Sequence, residues 1–354
     1  MEDVPDSRTL PGSTLKSMIR AIEPTWNLLR AHPCQRGFCS VYRLIVDVDG
    51  VEREHYLKAS PDGQTWAIPT EARIQAVLHS TTSIPVPEVL GVVDDNETLP
   101  TPYYLMTALP GQELPYEAIG CLDDDVLRRL ARETGAYLGE LHSIPAIDRF
   151  GHVRHDEPAL SGDRPSGDPD RLTVGNPRNT WSTYLQDHVD HELDRHADSS
   201  FSELTVDLDR WFDAGIDELD GQFDPVLGRN DHGMHNLLVD PTTGEITAML
   251  DWGYTLSVPP AFDFEFAVYL YGGSFLAGLP GVSDRRSLVR EAMLSGYRIT
   301  APDRVEAVTT PEPRYGMLAA VRIMNDFERL DVPERAEPQL RDQIRANVQS
   351  MLDR

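Results

Sequence analysis

Three oxygen-bearing side chains lie near one another in the chain and could together bind a metal ion. Asp231 is followed five positions later by Asn236, and Asp251 comes directly after a later apolar run. The apolar runs 237–239 and 246–250 flank a turn with proline and glycine, which predicts a β-hairpin. The outer ends of a hairpin meet, so we expect Asn236 and Asp251 to lie side by side. Such oxygen ligands suit a hard divalent ion such as magnesium.

The same segment resembles a known catalytic pattern. Asp-x4-Asn, a hairpin and Asp-Trp-Gly resemble the catalytic loop and metal-binding turn of the aminoglycoside phosphotransferase and choline kinase family, which shares the protein-kinase-like fold. The resemblance implies a catalytic role for Asp231, metal binding by Asn236 and Asp251, and bracing of the loop by Asp263 from the next helix. It also implies ATP and magnesium as cofactors.

One position departs from the family pattern. The family usually has His two residues before the catalytic aspartate, where this chain has Arg229, and a small residue is common where it has Asn230. That His generally supports the loop without taking part in the chemistry. The change therefore bears on how the loop packs, and Arg229 is assigned a supporting role.

The charge composition of the chain argues against one class of partner, nucleic acids. Asp and Glu total 58 against 32 Lys and Arg, for a formal net charge of -26. Nucleic-acid binding requires a basic surface, so this balance argues against it. Lys16 and Lys58 are the only lysines in the sequence. An acid-rich, lysine-poor chain is typical of a halophilic protein, because concentrated salt screens its self-repulsion. The alternative is a merely acidic protein.

The cysteines and the amino terminus bear on location. Cys34, Cys39 and Cys121 are too few and too scattered for a disulfide framework or a zinc site. The amino terminus, MEDVPDSRTL, is acidic where a signal peptide would be basic, and no apolar run is long enough to span a membrane. We therefore expect a cytoplasmic protein with no membrane partner.

A chain of 354 residues is long enough for about two domains. Its first part predicts a small antiparallel sheet with one main packed helix. The predicted elements are a helix over 15–29 interrupted at Pro24, strands over 39–48, 51–59, 89–93 and 103–107, and a helix over 70–79. Asp49-Gly50 predicts the turn between the first two strands.

The chain beyond Leu109-Pro110-Gly111 is predicted to be mainly helical. Helices are predicted over 126–143, 181–195, 204–219, 264–271, 284–299, 313–330 and 338–352, and a long loop or insertion over 151–180. With the resemblance, this pattern indicates an α+β, protein-kinase-like fold of two lobes. We place a nucleotide-binding lobe at 1–108 and a catalytic and substrate-binding helical lobe at 109–354.

Lys58 is conspicuous in a chain that has almost no lysine. It lies in the apolar strand 51–59, and a compact ammonium suits a phosphate where a guanidinium offers a broad fork. Glu71 shares a helical face with Ile74 and Leu78, so it needs a charged partner, for which Lys58 is the natural candidate. The pair resembles the strand lysine and helix glutamate of the kinase-like family. That resemblance implies that Lys58 holds ATP phosphates while Glu71 orients it. The alternative is a surface lysine and a solvated glutamate.

The nucleotide-covering segment is less distinctive. Residues 35–40 match the family's phosphate loop by position but contain one glycine, so an ordinary turn is the alternative. Backbone amides near Gly37 and the hydroxyl of Ser40 are candidate phosphate donors. The hinge that would meet adenine through its backbone is expected to include Met106 and Ala108.

Histidines also occur in a cluster, at His188, His191 and His196. Their acidic neighbours and helical spacing favour a solvated helix face over a metal site.

Two functions are open at this point. The first is an ATP-dependent phosphotransferase that passes the γ-phosphate to a hydroxyl of a small molecule, with Asp231 aligning that hydroxyl and accepting its proton. The second is a catalytically inactive, nucleotide-binding pseudokinase with a sensing or scaffolding role, which Arg229, Asn230 and the single glycine of the phosphate-loop segment motivate. The acceptor is open between an aminoglycoside, a sugar and a choline-like compound. Acidic residues would suit a cationic amine, but they occur throughout the chain, so Asp187, Asp190 and Glu192 do not identify one. The oligomeric state is not indicated.

Overall fold

The computed structural model describes residues 9–34, 39–60, 67–114, 118–145, 147–219, 221, 223–279, 281–330 and 334–353. The chain divides into two compact units. The first comprises Met1–Pro110, Arg154–Thr173 and Leu250–Tyr254, and the second comprises Gly111–Val153, Val174–Met249 and Thr255–Arg354. The predicted boundary after residue 108 lies near the end of the segment Met1–Pro110. The two later segments of the first unit lie beyond that boundary.

The first unit is built on a five-stranded antiparallel sheet with the order β1-β2-β3-β5-β4. Its elements are α1 (Gly12–Ile22), β1 (Asn27–Cys34), β2 (Ser40–Val48), β3 (Val51–Ala59), α2 (Ala67–Thr81), β4 (Val89–Val93) and β5 (Tyr103–Thr107). Asp49 and Gly50 join β2 to β3 with φ values of 53° and 82°. Two successive left-handed residues give the turn that Asp-Gly predicts.

The two faces of this sheet pack against different helices. Alternate residues of β2 and β3, among them Leu44 and Leu57, form one core with Met18 and Ile19 of α1. The opposite face packs against α2, a layer that includes Ile68, Ala72, Val92 and Tyr104. Each fully buried aliphatic side chain of this kind contributes about 1.5 to 3 kcal/mol. The sheet therefore has α2, the predicted main helix, on one face and α1, part of the helix predicted over 15–29, on the other.

The prediction of a helix over 15–29 is wrong beyond Ile22. The helix ends there, ahead of Pro24, and Asn27–Cys34 pairs with β2 instead. Proline lacks an amide donor and restricts the residue before it, so it ends a helix. The edge strand β1 is largely exposed, so its sequence carries no clear alternation of apolar and polar residues.

The second unit is mainly helical, as predicted. Its elements are β6 (Gln112–Glu113), α3 (Ala118–Cys121), α4 (Asp124–Leu141), β7 (Phe150–His155), β8 (Leu172–Arg178), α5 (Trp181–His196), α6 (Thr205–Asp217), β9 (Val226–Gly228), β10 (Leu237–Val239), β11 (Ile246–Met249), β12 (Leu256–Val258), α7 (Pro260–Gly272), α8 (Arg286–Thr300), α9 (Glu306–Thr309), α10 (Pro313–Asn325) and α11 (Glu337–Leu352). β7 and β8 continue for two residues each into the segment of the first unit. No helix among the described residues is long and apolar enough to cross a membrane.

Two small sheets hold the loops of the second unit in place. The predicted hairpin is present as β10 and β11, with Leu237 opposite Met249, and β6 pairs with the other edge of β10. The second sheet has the order β8-β7-β12-β9. The expectation of a long loop over 151–180 is therefore wrong at both ends, where β7 and β8 form. Short strands with few apolar residues and many turn residues are hard to distinguish from a loop.

Helices α4 and α8 pack closely because each has a glycine where it meets the backbone of the other. A Cβ placed on Gly296 would overlap the carbonyl oxygen of Arg132 in α4, and one placed on Gly135 would overlap the carbonyl oxygen of Met293 in α8. Backbone atoms cannot move aside as a flexible side chain can. The spacing of the two helices therefore depends on glycine at both positions.

We expect Gly296→Ala to lower the free energy of unfolding by about 1 to 3 kcal/mol, because the added methyl overpacks the contact. The matched control is Gly316→Ala in α10, where nothing lies within 4 Å of the new Cβ. There the higher helix propensity of alanine should stabilise the protein by up to about 1 kcal/mol. Urea unfolding of both variants measures the difference. Effects of the same sign would contradict the packing argument.

Candidate active site

Lys58 in β3 contacts two carboxylates of the first unit. Its Nζ lies 2.9 Å from Glu71 Oε1, 2.8 Å from Glu71 Oε2 and 3.2 Å from Asp251 Oδ1. Burial alone would lower the pKa of Lys58, but Glu71 and Asp251 raise it well above its ordinary value. The predicted contact between Lys58 and Glu71 is thus present, and the lysine is a fixed cation.

Glu71 is held from a second side by its own helix. Its side chain is 2% exposed, and Gln75 Nε2 donates to Tyr104 Oη at 3.2 Å and lies 3.4 Å from Glu71 Oε1. Tyr104 is opposite Lys58 across the β3–β5 pair, so it lies on the same face of the sheet. Hydrogen bonds between buried polar side chains fix their positions.

Gly37 and Ser40 are the two residues that the sequence predicts as phosphate donors. Gly37 lies outside the described residues. Ser40 is opposite Ala59, one residue on from Lys58, so its side chain is on the opposite face of the sheet, where it is buried. This register argues against the hydroxyl of Ser40 as a phosphate donor beside Lys58. Its side chain belongs to the face that packs against α1.

The predicted hinge lies at the end of β5. Met106 is opposite Tyr56 on one side and Val89 on the other, so this residue is within the sheet. Ala108 is one residue beyond the end of β5 and is partly exposed. Of the two hinge residues, Ala108 is the one outside the strand ladder.

The proposed catalytic loop of the second unit is organised around Asp263 in α7. This carboxylate has no exposed surface. It accepts hydrogen bonds from the backbone amide of Arg229 to Oδ2 at 3.0 Å and from that of Asn230 to Oδ1 at 2.9 Å. His232 Nε2 lies 2.7 Å from its Oδ1, and His142 Nε2 lies 3.2 Å from its Oδ2. Burial alone would raise the pKa of Asp263, but the two histidines hold it far below its ordinary range. Asp263 is therefore a carboxylate that fixes the start of the loop.

Arg229 and Asn230 fit the positions where they depart from the family pattern. Arg229 is 1% exposed, and its Nη2 donates to the carbonyl of Asn236 at 3.4 Å, across the loop. Asn230 has a φ of 66°, a left-handed conformation that asparagine adopts more readily than most residues. Its Oδ1 accepts from Arg322 Nη1 at 2.7 Å. The loop is thus braced although the usual His is absent.

Asp231 and Asn236 lie together in this loop. Asn236 Nδ2 donates to Asp231 Oδ2 at 3.0 Å, and the amide of Gly233 donates to Asp231 Oδ1 at 3.1 Å. Burial would raise the pKa of Asp231, but the charges of His235 and Arg322 help to lower it below its ordinary value. Asp231 is ionised at neutral pH, as a proton acceptor must be.

The proposed metal ligands supply hard oxygen donors. The amide nitrogen of Asn236 is used by Asp231, which leaves its carbonyl oxygen Oδ1 for a cation. Asp251 is 45% exposed at its side chain, contacts Lys58 through one oxygen and has a left-handed backbone with φ 62°. Each residue, in its own unit, offers the carboxylate or carbonyl oxygen that magnesium prefers. Among the described residues there is no group of three or more His, Cys, Asp or Glu that could hold a metal ion.

Several residues of the loop environment have no counterpart among the sequence predictions. His142 lies at the end of α4, 121 positions from Asp263, and Arg322 lies 92 positions from Asn230. Neither residue is marked by a motif or by unusual spacing. The histidine cluster is also only partly solvated: His196 is fully buried and the ring nitrogen Nε2 of His188 is inaccessible, while His191 is exposed.

Comparison with known proteins identifies the family. The model of the phosphotransferase enzyme family matches residues 39–308, well over half of the chain. The chain therefore belongs to this family and has its protein-kinase-like fold.

Individual relatives are distant. A crystal structure of a putative aminoglycoside phosphotransferase from Ralstonia eutropha JMP134 superposes with a TM-score of 0.62 at 15% identity, over 98% of both chains. A thermostable mutant of aminoglycoside phosphotransferase APH(4)-Ia, in ternary complex with ADP and hygromycin B, gives 0.53 at 15% identity, over 93% of this chain and 97% of that one. Acyl-CoA dehydrogenase family member 10 of Mus musculus is 24% identical over 228 residues, 62% of this chain. The match spans 18% of that protein's length.

Removing the charge of Asp263 tests its bracing role. Asp263→Asn replaces one acceptor oxygen by an NH2 group that faces existing donors, so we expect the free energy of unfolding to fall by about 3 to 5 kcal/mol. The exposed aspartate Asp303 offers a control, since Asp303→Asn should leave stability unchanged. Urea unfolding of the two variants decides between these effects. A stability of Asp263→Asn equal to that of the control would refute the assignment.

The partly buried His188 should make stability fall with acid. Burial, with the charge of Arg322, lowers its pKa to about 3. Above about pH 6.5 neither state binds a proton at this residue. As the pH is lowered from there toward 3, only the unfolded chain binds it, so the free energy of unfolding declines by about 1.4 kcal/mol per pH unit.

We expect His188→Gln to reduce the slope of stability against pH between 6.5 and 5, when urea unfolding is compared across that window. His191→Gln provides the control, because this exposed histidine is on the same helix. Equal slopes in both variants would show that His188 is protonated in the folded protein.

Proposed function

We propose that this protein is an ATP-dependent kinase that transfers the γ-phosphate to a hydroxyl of a small molecule. The observation that carries the proposal is the braced loop in which Asp231 is held as a carboxylate by Asn236 and Gly233. Phosphoryl transfer depends mainly on positioning and on neutralising charge. The loop would position the acceptor hydroxyl, and Lys58 would neutralise part of the charge on the nucleotide.

Each unit has a separate task in this proposal. Lys58, oriented by Glu71, would contact the α and β phosphates, and the backbone at Ala108 would meet the base. Asp231 would accept the proton of the acceptor hydroxyl, the general-base role of the family. Asn236 and Asp251 would hold magnesium, which supplies positive charge to the phosphates when it is bound. The relative solved with ADP and hygromycin B supports a nucleotide and a hydroxylated acceptor as ligands.

The setting we propose is a cytoplasm of high salt concentration. A net charge of -26 on 354 residues produces self-repulsion, which molar salt screens within about 3 Å. The assays below are therefore run in molar potassium chloride.

A pseudokinase role has less support than the sequence alone suggested. Of the features that motivate it, Arg229 and Asn230 stabilise the loop conformation through hydrogen bonds with the carbonyl of Asn236 and with Arg322. Residues 35–38 of the phosphate-loop segment, whose single glycine is the other motivation, lie outside the described residues. ATP bound without transfer to any hydroxylated compound would be the result that favours this second function.

Asp231→Asn tests the transfer reaction. We expect kcat to fall by about 100- to 10,000-fold, the usual contribution of a general base, with magnesium-ATP affinity unchanged by calorimetry. Lys58→Met should instead weaken ATP binding, and Lys58→Arg should not restore it, because a planar fork replaces a point charge. Asp207→Asn, at an exposed aspartate of α6, serves as the control. Normal turnover by Asp231→Asn would exclude the assignment.

A further inference from the structure

The surroundings of Asp231 in the second unit include a cation. Arg322 of α10 donates from Nη1 to the side-chain oxygen of Asn230, the residue before Asp231. Its guanidinium lies 5.3 Å from the ring centre of Phe266, and its side chain is 25% exposed. Its charge also acts on Asp231. An arginine that is anchored on one side and accessible on the other can bind a further partner.

The charge of Arg322 is only partly neutralised by its neighbours. The nearest carboxylate in the described part of the second unit is Glu192, at 4.0 Å from its Nε. Glu192 Oε2 is already the acceptor for Arg195 Nη1 and for Asn325 Nδ2, each at 2.8 Å. Glu192 therefore belongs to a network between α5 and α10 and does not form a close pair with Arg322.

Two acidic residues of α5 have partners of their own. Asp187 accepts from Arg178 Nε at 2.6 Å, and Asp190 accepts from Gln186 Nε2 at 2.8 Å. Both contacts are on the exposed side of the helix. A polycationic amine would bind free carboxylates, and neither Asp187 nor Asp190 is one.

Neutral hydrogen-bonding groups complete this environment. Tyr184 and His188 are stacked one helical turn apart on α5. The ring of His188 lies 6.1 Å from that of Phe262, which neighbours Phe266, the ring beneath Arg322. Tyr184 is 7% exposed, and neither Tyr184 Oη nor His188 Nε2 has a hydrogen-bond partner in the part of the chain that the structure describes. Buried polar groups without partners are uncommon unless a ligand or water satisfies them.

We propose that the phosphate acceptor carries an anionic group, a carboxylate or a phosphate, and that Arg322 binds it. This inference rests on the proposed kinase function and assigns its substrate class. The acceptor is then a hydroxylated acid or a hydroxylated phosphate ester. Aminoglycosides, which are polycations, are disfavoured by the same charge.

The test measures phosphate transfer to matched acceptors. ADP release is followed with hydroxylated carboxylates such as glycerate, phosphate esters such as glycerol 3-phosphate, their uncharged analogue glycerol, and hygromycin B. We expect transfer to anionic compounds, and the two anion classes identify which group is bound. Transfer to hygromycin B or to uncharged compounds with equal efficiency would overturn the inference and leave the proposed function standing.

Arg322→Gln separates charge recognition from bracing of the loop. If Arg322 binds the anion, the preference in kcat/KM for an anionic acceptor over its uncharged analogue should fall about 10- to 100-fold. Arg322→Lys should recover part of that preference, because it keeps the charge. A purely structural role would lower kcat/KM for both acceptors by the same factor and leave the preference intact, which contradicts the proposal. Arg329→Gln, at an arginine 61% exposed, is the control.

Arg322→Lys keeps the test decisive if Arg322→Gln does not fold. Lysine retains a cation that can still donate to Asn230, but a point charge replaces the planar fork, so the preference for the anionic acceptor should fall part of the way. An unchanged preference in Arg322→Lys, or an equal loss of kcat/KM for both acceptors, would contradict the proposal. If ATP binds and no compound of any class accepts phosphate, the proposed kinase function fails and this inference fails with it.

Discussion

An ionised carboxylate without exposed surface is stable only where donors surround it, and Asp263 imposes this condition on the second unit. It is satisfied by the two amides that open the catalytic loop and by two histidines. The amides can reach it only if the chain turns at Asn230. The need to compensate one buried charge therefore fixes the backbone immediately before Asp231. Because His142 also lies 2.9 Å from the hydroxyl of Tyr297, α4 and α8 take part in the same constraint.

Two residues of the proposed active-site segments have a left-handed backbone although neither is glycine. Asn230 and Asp251 have φ values of 66° and 62°, conformations that are costly for most side chains. Each is held by a cation: Arg322 binds the side chain of Asn230, and Lys58 binds that of Asp251. Strain of this kind persists only where surrounding contacts enforce it. The same contacts that stabilise the two conformations also fix the residues that would carry out transfer.

The parts of the site that could be predicted are those with local patterns. The Lys58–Glu71 pair follows from the rarity of lysine and the helical spacing of Glu71, and the hairpin follows from two apolar runs around a turn. Arg322 and His142 could not be predicted, because only tertiary folding brings them to the loop. The sequence does not predict strand β1, because an exposed edge strand has no alternation of apolar and polar residues. The face of the sheet on which the Ser40 side chain lies depends on the register of β2 with β3, which the sequence does not give.

The overall charge and the local charge of the second unit act over different distances. A chain with a net charge of -26 repels an anionic acceptor at long range when salt is dilute. At molar salt the screening length is about 3 Å, so that long-range repulsion vanishes while a direct contact persists. Selection of an acceptor must then depend on groups within contact distance. Under those conditions a single anchored arginine beside Asp231 outweighs the many carboxylates on the surface.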